Sequence, residues 1–484
     1  MVSVLLSRSM DRFCKLSLVL VQLGLFTVGN TLSKKYNFRS FMMASASKST
    51  CQLVQDLKEW KFGKLKLLEL PIDDEKNNYV RRNNRGCLFS EVMPTPLKSP
   101  KLVSFSKDVL INILNMDPNV TKTQDFADFI AGNKIMENSV PLAHRYGGHQ
   151  FGYWAMQLGD GRAILLGEFT NSAGDRWELQ LKGSGSTPYS RDGDGRAVLR
   201  SSIREFLCSE AMYYLGIPTS RAGAIVVSEE RTLRDPMYDG NPVMENTAVV
   251  LRIAPTWFRF GSFELLMKTN ELELPKKLFD FIIKIIMYNL MKLTEALFPL
   301  LTEIQKKQTS DLLQSEANYL TDSLINTFSK KLGLPQSDKQ LVEMFAEMLE
   351  ETKADFTMSY RDLSEIELDQ MDKPCPGQYW ALATVAQHDA YPRFVSAYKE
   401  KLKETGITDE ERRKQMCQIN PRYVLRNWMA QSAINEADDD NFVEVERLLR
   451  ILSSPFTMQE EAEEMGFSKP PPGWASKLRL SCSS

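Results

Sequence analysis

With 484 residues, 43% of them hydrophobic, the chain has the composition of a globular protein long enough for about two to three domains. A formal net charge of −2 supplies no global basic field, which argues against nucleic acid as a partner. Seven scattered cysteines without a CxxC pair, and three histidines (His144, His149, His388) without metal-binding spacing, argue against a disulfide scaffold, a zinc module or a histidine metal centre. Any metal chemistry would be carboxylate chemistry.

Residues 1–50 carry Arg8, Arg12, Lys15, Lys34, Lys35, Arg39 and Lys48 against one acid, Asp11, with many serines. This is the composition of a mitochondrial presequence, and it predicts a mitochondrial protein. The apolar run 16–28 is short for a bilayer span and leaves a secretory signal as the alternative; no other stretch reads as a membrane span.

Residues 51–263 read as a strand-rich lobe. A loop-rich stretch with Asn77, Asn78, Asn83 and Asn84 leads into a segment punctuated by glycines, in which 161–169 and 177–181 read as strands. Residues 197–215 follow with a helical period that Gly216 stops, and 222–227 and 247–253 read as further strands. Beyond Pro275 the pattern turns helical, at 278–297, 308–328, 339–351 and 442–452, so 264–468 reads as a helical lobe. Strands followed by helices predict an α+β fold with a strand-rich and a helical lobe, and kinases are one fold of that kind. The tail 469–484 opens on Pro470-Pro471-Pro472 and reads as a stiff linker ending near Cys482.

The pentapeptide Gly-Asp-Gly-Arg-Ala occurs twice, at Gly159 to Ala163 and at Gly193 to Ala197. Glycines let backbone amides approach phosphate oxygens, and an adjacent arginine adds a charged fork; a pair of tight turns is the plainer reading of such loops. The context favours phosphate. Lys182 ends a strand and opens a second glycine-rich run, and Glu205 sits in the middle of the next helix. A strand lysine paired with a helix glutamate is how kinase folds hold nucleotide phosphates. Arg252 and Arg259, flanking Pro255-Thr256-Trp257, would add two bidentate cations to the same surface.

These runs, together with His149-Gln150-Phe151-Gly152, Ala386-Gln387-His388-Asp389 and Asn420-Pro421-Arg422-Tyr423-Val424-Leu425-Arg426-Asn427, closely resemble the selenoprotein O family. The resemblance runs from about Trp60 to Phe456. It implies a kinase-like protein adenylyltransferase that uses ATP and magnesium to place AMP on hydroxyl side chains of protein substrates. By position it implies nucleotide contacts at Gly159, Gly161, Arg162, Lys182, Asp194, Gly195, Arg252 and Arg259, with Glu205 paired to Lys182.

The resemblance also implies an Asp-Asn loop carrying the base and a metal ligand, then an Asp-Tyr-Gly metal ligand, and neither stands at the matching place between Phe263 and Pro299. Between Phe263 and Pro299 the only aspartate is Asp280, in a helical pattern, and the chain reads as joining two non-adjacent family segments near Ile286 and Met287. No catalytic or metal residue is therefore assigned, and Asp355 and Asp389 lack the companions that a substitute would need. The expectation is a chain that binds nucleotide weakly or not at all and has no transferase activity, left with a non-catalytic nucleotide-binding or redox-tail role. Cys482 stands where family members carry a selenocysteine, third from the end, and is a candidate for a mixed disulfide with a partner, although Arg479 stands in place of the companion thiol; an inert tail thiol or a selenocysteine codon written as cysteine is the plainer reading.

Overall fold

The computed structural model describes residues 53–480, apart from 77–79, 81–83, 151, 191–192, 272, 276, 279–280 and 282–321. The expected presequence, the expected junction near Ile286 and Met287, Asp280, most of the helices expected at 278–297 and 308–328, and Cys482 lie outside the described residues.

The chain divides into two compact units. The first is built on β1 (Phe89–Glu91), β2 (Lys101–Phe105), β3 (Leu142–His144), β6 (Ala163–Thr170), β7 (Arg176–Lys182), β8 (Ala197–Val198), β9 (Arg221–Arg234) and β10 (Val243–Ala254). Seven of these form a sheet in the order β1-β3-β6-β7-β10-β9-β2, and β8 pairs with β10. The hairpin of β4 (Gly147–Gln150) and β5 (Tyr153–Gln157) stands apart from that sheet. Helices α1 (Gln124–Ala131), α2 (Leu199–Tyr214) and α3 (Phe260–Lys268) belong to this part of the unit.

The alternation in β7 shows how the sheet acquires two different faces. Leu179 and Leu181 are buried in a core with Val249, Leu251 and Ile253 of β10, Phe126, Phe129 and Ile130 of α1, and Trp60. Trp60 is anchored in that core by donating from Nε1 to the Leu114 carbonyl at 2.9 Å. Since strand side chains alternate, Glu178, Gln180 and Lys182 must point to the opposite face, the one carrying α2. A strand buried on both sides keeps polar side chains where they find partners, as Glu178 does with Arg176, Gln180 Nε2 with Asp160 and Lys182 with Glu205.

The second unit is helical: α4 (Lys339–Thr352), α5 (Phe356–Glu365), α6 (Trp380–Val385), α7 (Tyr391–Thr405) and α8 (Asp409–Ile419). Phe345, Tyr360, Leu363, Leu382, Phe394, Tyr398 and Met416 form its core. The chain then returns to the sheet-bearing unit with residues 427–450, which hold α9 (Asn427–Asp438) and most of α10 (Val443–Leu452). There α9 packs on α2, with Arg204 donating to Gln431 at 2.7 Å. The short α11 (Glu460–Glu464) completes the helical unit.

The α+β expectation holds, and its strands at 161–169 and 177–181 and its helix at 197–215 correspond to β6, β7 and α2. The strands expected at 222–227 and 247–253 are longer in the structure. Their apolar runs end near Val227, but ladder pairing continues through Arg231↔Asn246 to Arg234↔Val243, sustained by backbone hydrogen bonds where burial no longer contributes. Charge-rich α7 and α8 were not foreseen, because lysines and glutamates interrupt their apolar period.

Candidate functional site

Antiparallel register places Lys182 opposite both Ala163 of β6 and Val250 of β10, and Gln180 opposite Arg252. Lys182 and Arg252 thus share the face covered by α2. Glu205, on that helix, accepts from both: Lys182 Nζ lies 2.5 Å from Oε2 and Arg252 Nε lies 3.2 Å from Oε1. Burial pushes the Lys182 pKa down, and Arg252 and Arg162 push it the same way against the pull of Glu205. Burial raises the Glu205 pKa, but Lys182, Arg252 and Arg162 together hold it below its ordinary value. Arg252 is also stacked 4.4 Å from the Trp257 ring, so its direction is fixed before any ligand arrives.

The glycine-rich runs fold into two stapled loops. Thr187 Oγ1 donates to the Asp160 carbonyl at 2.6 Å, Ser190 Oγ to the Gly161 carbonyl, and the Gly183 amide to the Arg162 carbonyl at 2.7 Å. Gly195, at φ +73, takes the left-handed region, and a Cβ there would run into the backbone of Gly185. A Cβ on Gly159 or Gly161 would also crowd Tyr189, at 2.5 and 2.9 Å. Loop-to-loop packing alone therefore requires these glycines. Asp194 is likewise engaged within the protein: its carboxylate accepts from Thr232 Oγ1 at 2.5 Å, Arg234 Nη2 at 2.6 Å and the Arg196 amide at 2.8 Å.

The structure adds residues that the motif reading did not select. Asp160, between the two glycines of its loop, is 4% exposed. Its Oδ2 accepts from Gln180 Nε2 at 3.1 Å and from the His144 amide at 3.3 Å, and its Oδ1 lies 3.7 Å from Arg259 Nη2. Burial raises its pKa, opposed by Arg259, Arg252 and Lys182. Arg259 lies 3.9 Å from the Tyr146 ring, at the start of α3, where its amide donates to Ser262 Oγ at 3.1 Å. Glu178 is held by Arg176 Nη2 at 2.7 Å and by the Trp257 amide at 3.0 Å, which ties the turn between Arg252 and Arg259 to β7. The signal for Gln180 and Glu178 was legible: the polar members of an alternating strand share a face with its terminal lysine.

Lys182, Arg162, Arg252 and Arg259 accordingly gather around Glu205 and Asp160, a cationic surplus suited to a polyphosphate. Among the described residues no group of three His, Cys, Asp or Glu side chains could by itself hold a metal ion. Asp355, considered as a substitute acid, caps α5 and takes two hydrogen bonds from Arg426, at 2.6 and 2.9 Å.

The family model described as protein adenylyltransferase SelO matches the chain in two stretches, 76–285 and 283–453. Protein nucleotidyltransferase YdiU of Azoarcus sp. (strain BH72) is 34% identical over 520 aligned positions, covering 86% of this chain and 98% of the relative. The proteins of the same name from Aromatoleum aromaticum and Flavobacterium johnsoniae are 33% and 32% identical, each covering 86% of this chain and 98% of the relative. A match of this extent, running through the β7 lysine, the α2 glutamate, Arg252 of β10 and Arg259 after it, decides the assignment: the chain belongs to the SelO family of protein nucleotidyltransferases.

Proposed function

We propose that the cluster of Lys182, Arg162, Arg252 and Arg259 holds the polyphosphate of ATP, and that this chain is a nucleotide-binding form without transfer activity. The observation that carries the binding reading is the single Glu205 carboxylate shared between Lys182 and Arg252, which orders two cations yet neutralises only one. Anionic oxygens from a ligand would complete the balance.

In the uninterrupted family form, a substrate Ser, Thr or Tyr oxygen attacks the α-phosphorus of ATP. The bond to the β-phosphate breaks, pyrophosphate leaves, and the hydroxyl proton passes to a carboxylate. Magnesium would supply charge neutralisation there. Two facts support the reading that this chain lacks the segment bearing that carboxylate and the metal ligands. The family model matches in two stretches that meet at 283–285, and the alignment to the Azoarcus relative runs over 520 positions although the chain has 484 residues. Those alignment positions therefore include ones this chain does not have. The composition of 1–50 supports a mitochondrial location, to be tested by following a fluorescent fusion of that segment.

Calorimetric titration with ATP tests the binding reading. Lys182→Ala should weaken binding about tenfold or more, since a charge-assisted contact contributes roughly 1.5–3 kcal/mol. Glu205→Ala should weaken it less, and Lys339→Ala, on an exposed helix surface, should leave it unchanged. Equal affinity in all of them defeats the assignment. Incubation with α-labelled and γ-labelled ATP tests the rest. Neither label should reach protein with this chain, whereas α-label should transfer once the Asp-Asn and Asp-Tyr-Gly segment is restored; transfer from γ-label alone would mark a phosphotransferase.

A further inference from the structure

Asp160 is out of place by simple electrostatics. A buried carboxylate among cations that await a polyphosphate repels the ligand and cancels part of the attraction, and nothing in the fold of a tight Gly-Asp-Gly turn demands an acid there. Its contacts suggest what it does. One oxygen is held by Gln180 Nε2 and the His144 amide, so the carboxylate cannot turn, and the other faces the Arg259 guanidinium at 3.7 Å.

Arg259 needs such support more than Lys182 or Arg252 does. Its side chain is 37% exposed, more open than those of Lys182 and Arg252 at 25% and 21%. The Tyr146 ring lies against it at 3.9 Å, and its Nε reaches the Trp257 carbonyl at only 3.4 Å. Without an anchor, a long arginine on the first residue before a helix samples many rotamers, and a ligand that captures it bears the ordering cost.

We propose that Asp160 is a positioning residue that acts through Arg259, holding its guanidinium against Tyr146 so that the polyphosphate meets a preorganised donor. The proposal rests on the polyphosphate reading above. Gln180 supports it at one remove, by fixing the Asp160 carboxylate.

The sign of one substitution separates the alternatives. If Asp160 contributes only charge, Asp160→Asn tightens binding of ATP; if it only stabilises the fold, Asp160→Asn lowers the melting temperature and leaves affinity alone. Positioning predicts weaker binding, about fivefold for one long side chain released from its ordered state. It also predicts that Asp160→Asn/Arg259→Ala binds no more weakly than Arg259→Ala, because the route through Arg259 is already gone. Calorimetry with ATP and with inorganic tripolyphosphate should give the same pattern. Unchanged or tighter binding in Asp160→Asn, or additive losses in the double variant, overturns the proposal. Should Asp160→Asn fail to fold, Gln180→Met takes its place: weaker binding that vanishes as an effect in the Arg259→Ala background supports positioning, and wild-type affinity overturns it. Lys182→Ala is measured alongside. If it binds as wild type does, or if wild type binds neither probe, the polyphosphate reading falls and this proposal with it; if only Lys182→Ala weakens binding, positioning alone falls.

Discussion

Two clusters of arginine and glutamate, one in each unit, use the same side chains for opposite ends. In the helical unit Arg422 donates to Glu365 at 2.6 Å and to Glu463 at 2.6 Å, Tyr423 adds its hydroxyl to Glu463 at 2.5 Å, and Arg361 meets Glu365 at 2.6 Å and the Cys417, Asn420 and Phe456 carbonyls. Each guanidinium there is matched by protein oxygens, and the network joins α5, α8 and α11. In the sheet-bearing unit Lys182 and Arg252 share one carboxylate, and Arg259 faces its acid at 3.7 Å. Matched charge makes a scaffold, whereas surplus charge is what the proposed binding site needs. The long motif Asn420 to Asn427, as prominent in the sequence as the glycine loops, belongs to the first kind.

The largest effect that would sharpen this contrast comes from the ion cluster behind α2. Arg221 is 3% exposed and donates to Glu210, which is fully buried and also accepts from Ser106 Oγ. Arg221→Ala strands that carboxylate and should cost about 3–5 kcal/mol in chemical denaturation. Arg422→Ala should follow at about 2–3 kcal/mol, since Glu365 and Glu463 retain some water and other donors, and the folded fraction should keep its ATP affinity. Arg252→Ala should behave in reverse, lowering ATP affinity about tenfold while shifting stability by less than about 1 kcal/mol. If Arg252→Ala destabilises as Arg422→Ala does, the distinction between the two clusters is lost.

The smallest effects are pH dependences of opposite sign. Burial pushes the Glu178 carboxyl up to about 7 despite Arg176. A folded value above the ordinary 4.5 means that its contribution is full at low pH and is lost as pH rises from about 4.5 through about 7. Glu463 is also raised by burial, but hydrogen bonds from Arg422, Tyr423 and Ser468 bring it down to about 2, so its contribution is full above 4.5 and is lost as pH falls toward 2. Denaturation curves of Glu178→Gln and Glu463→Gln should therefore depart from wild type in separate windows, the first between about pH 4.5 and 7 and the second below pH 4.5. Both departures in the same window would contradict the environments described for the two carboxylates.

Local pattern was enough to read β6, β7 and α2, because each is short, periodic and bounded by glycine or a charged terminus, and it was enough to pair Lys182 with Glu205. The alternation of β7 decides which residues can face α2, and that information is complete within seven residues. The sequence alone did not show that Gly159 and Gly161 are required by Tyr189, that Asp194 is engaged by Arg234, or that Asp160 faces Arg259. Nor did it show that α9 joins the sheet-bearing unit, since a helix with Ala430, Ala433 and Ala437 on its buried face can pack against many partners. These depend on contacts between residues from 16 positions apart, for Asp160 and His144, to 227 apart, for Arg204 and Gln431. Periodicity records which way a side chain points along its own element; only the folded backbone decides what stands opposite, and so whether a charge is spent within the protein or kept for a ligand.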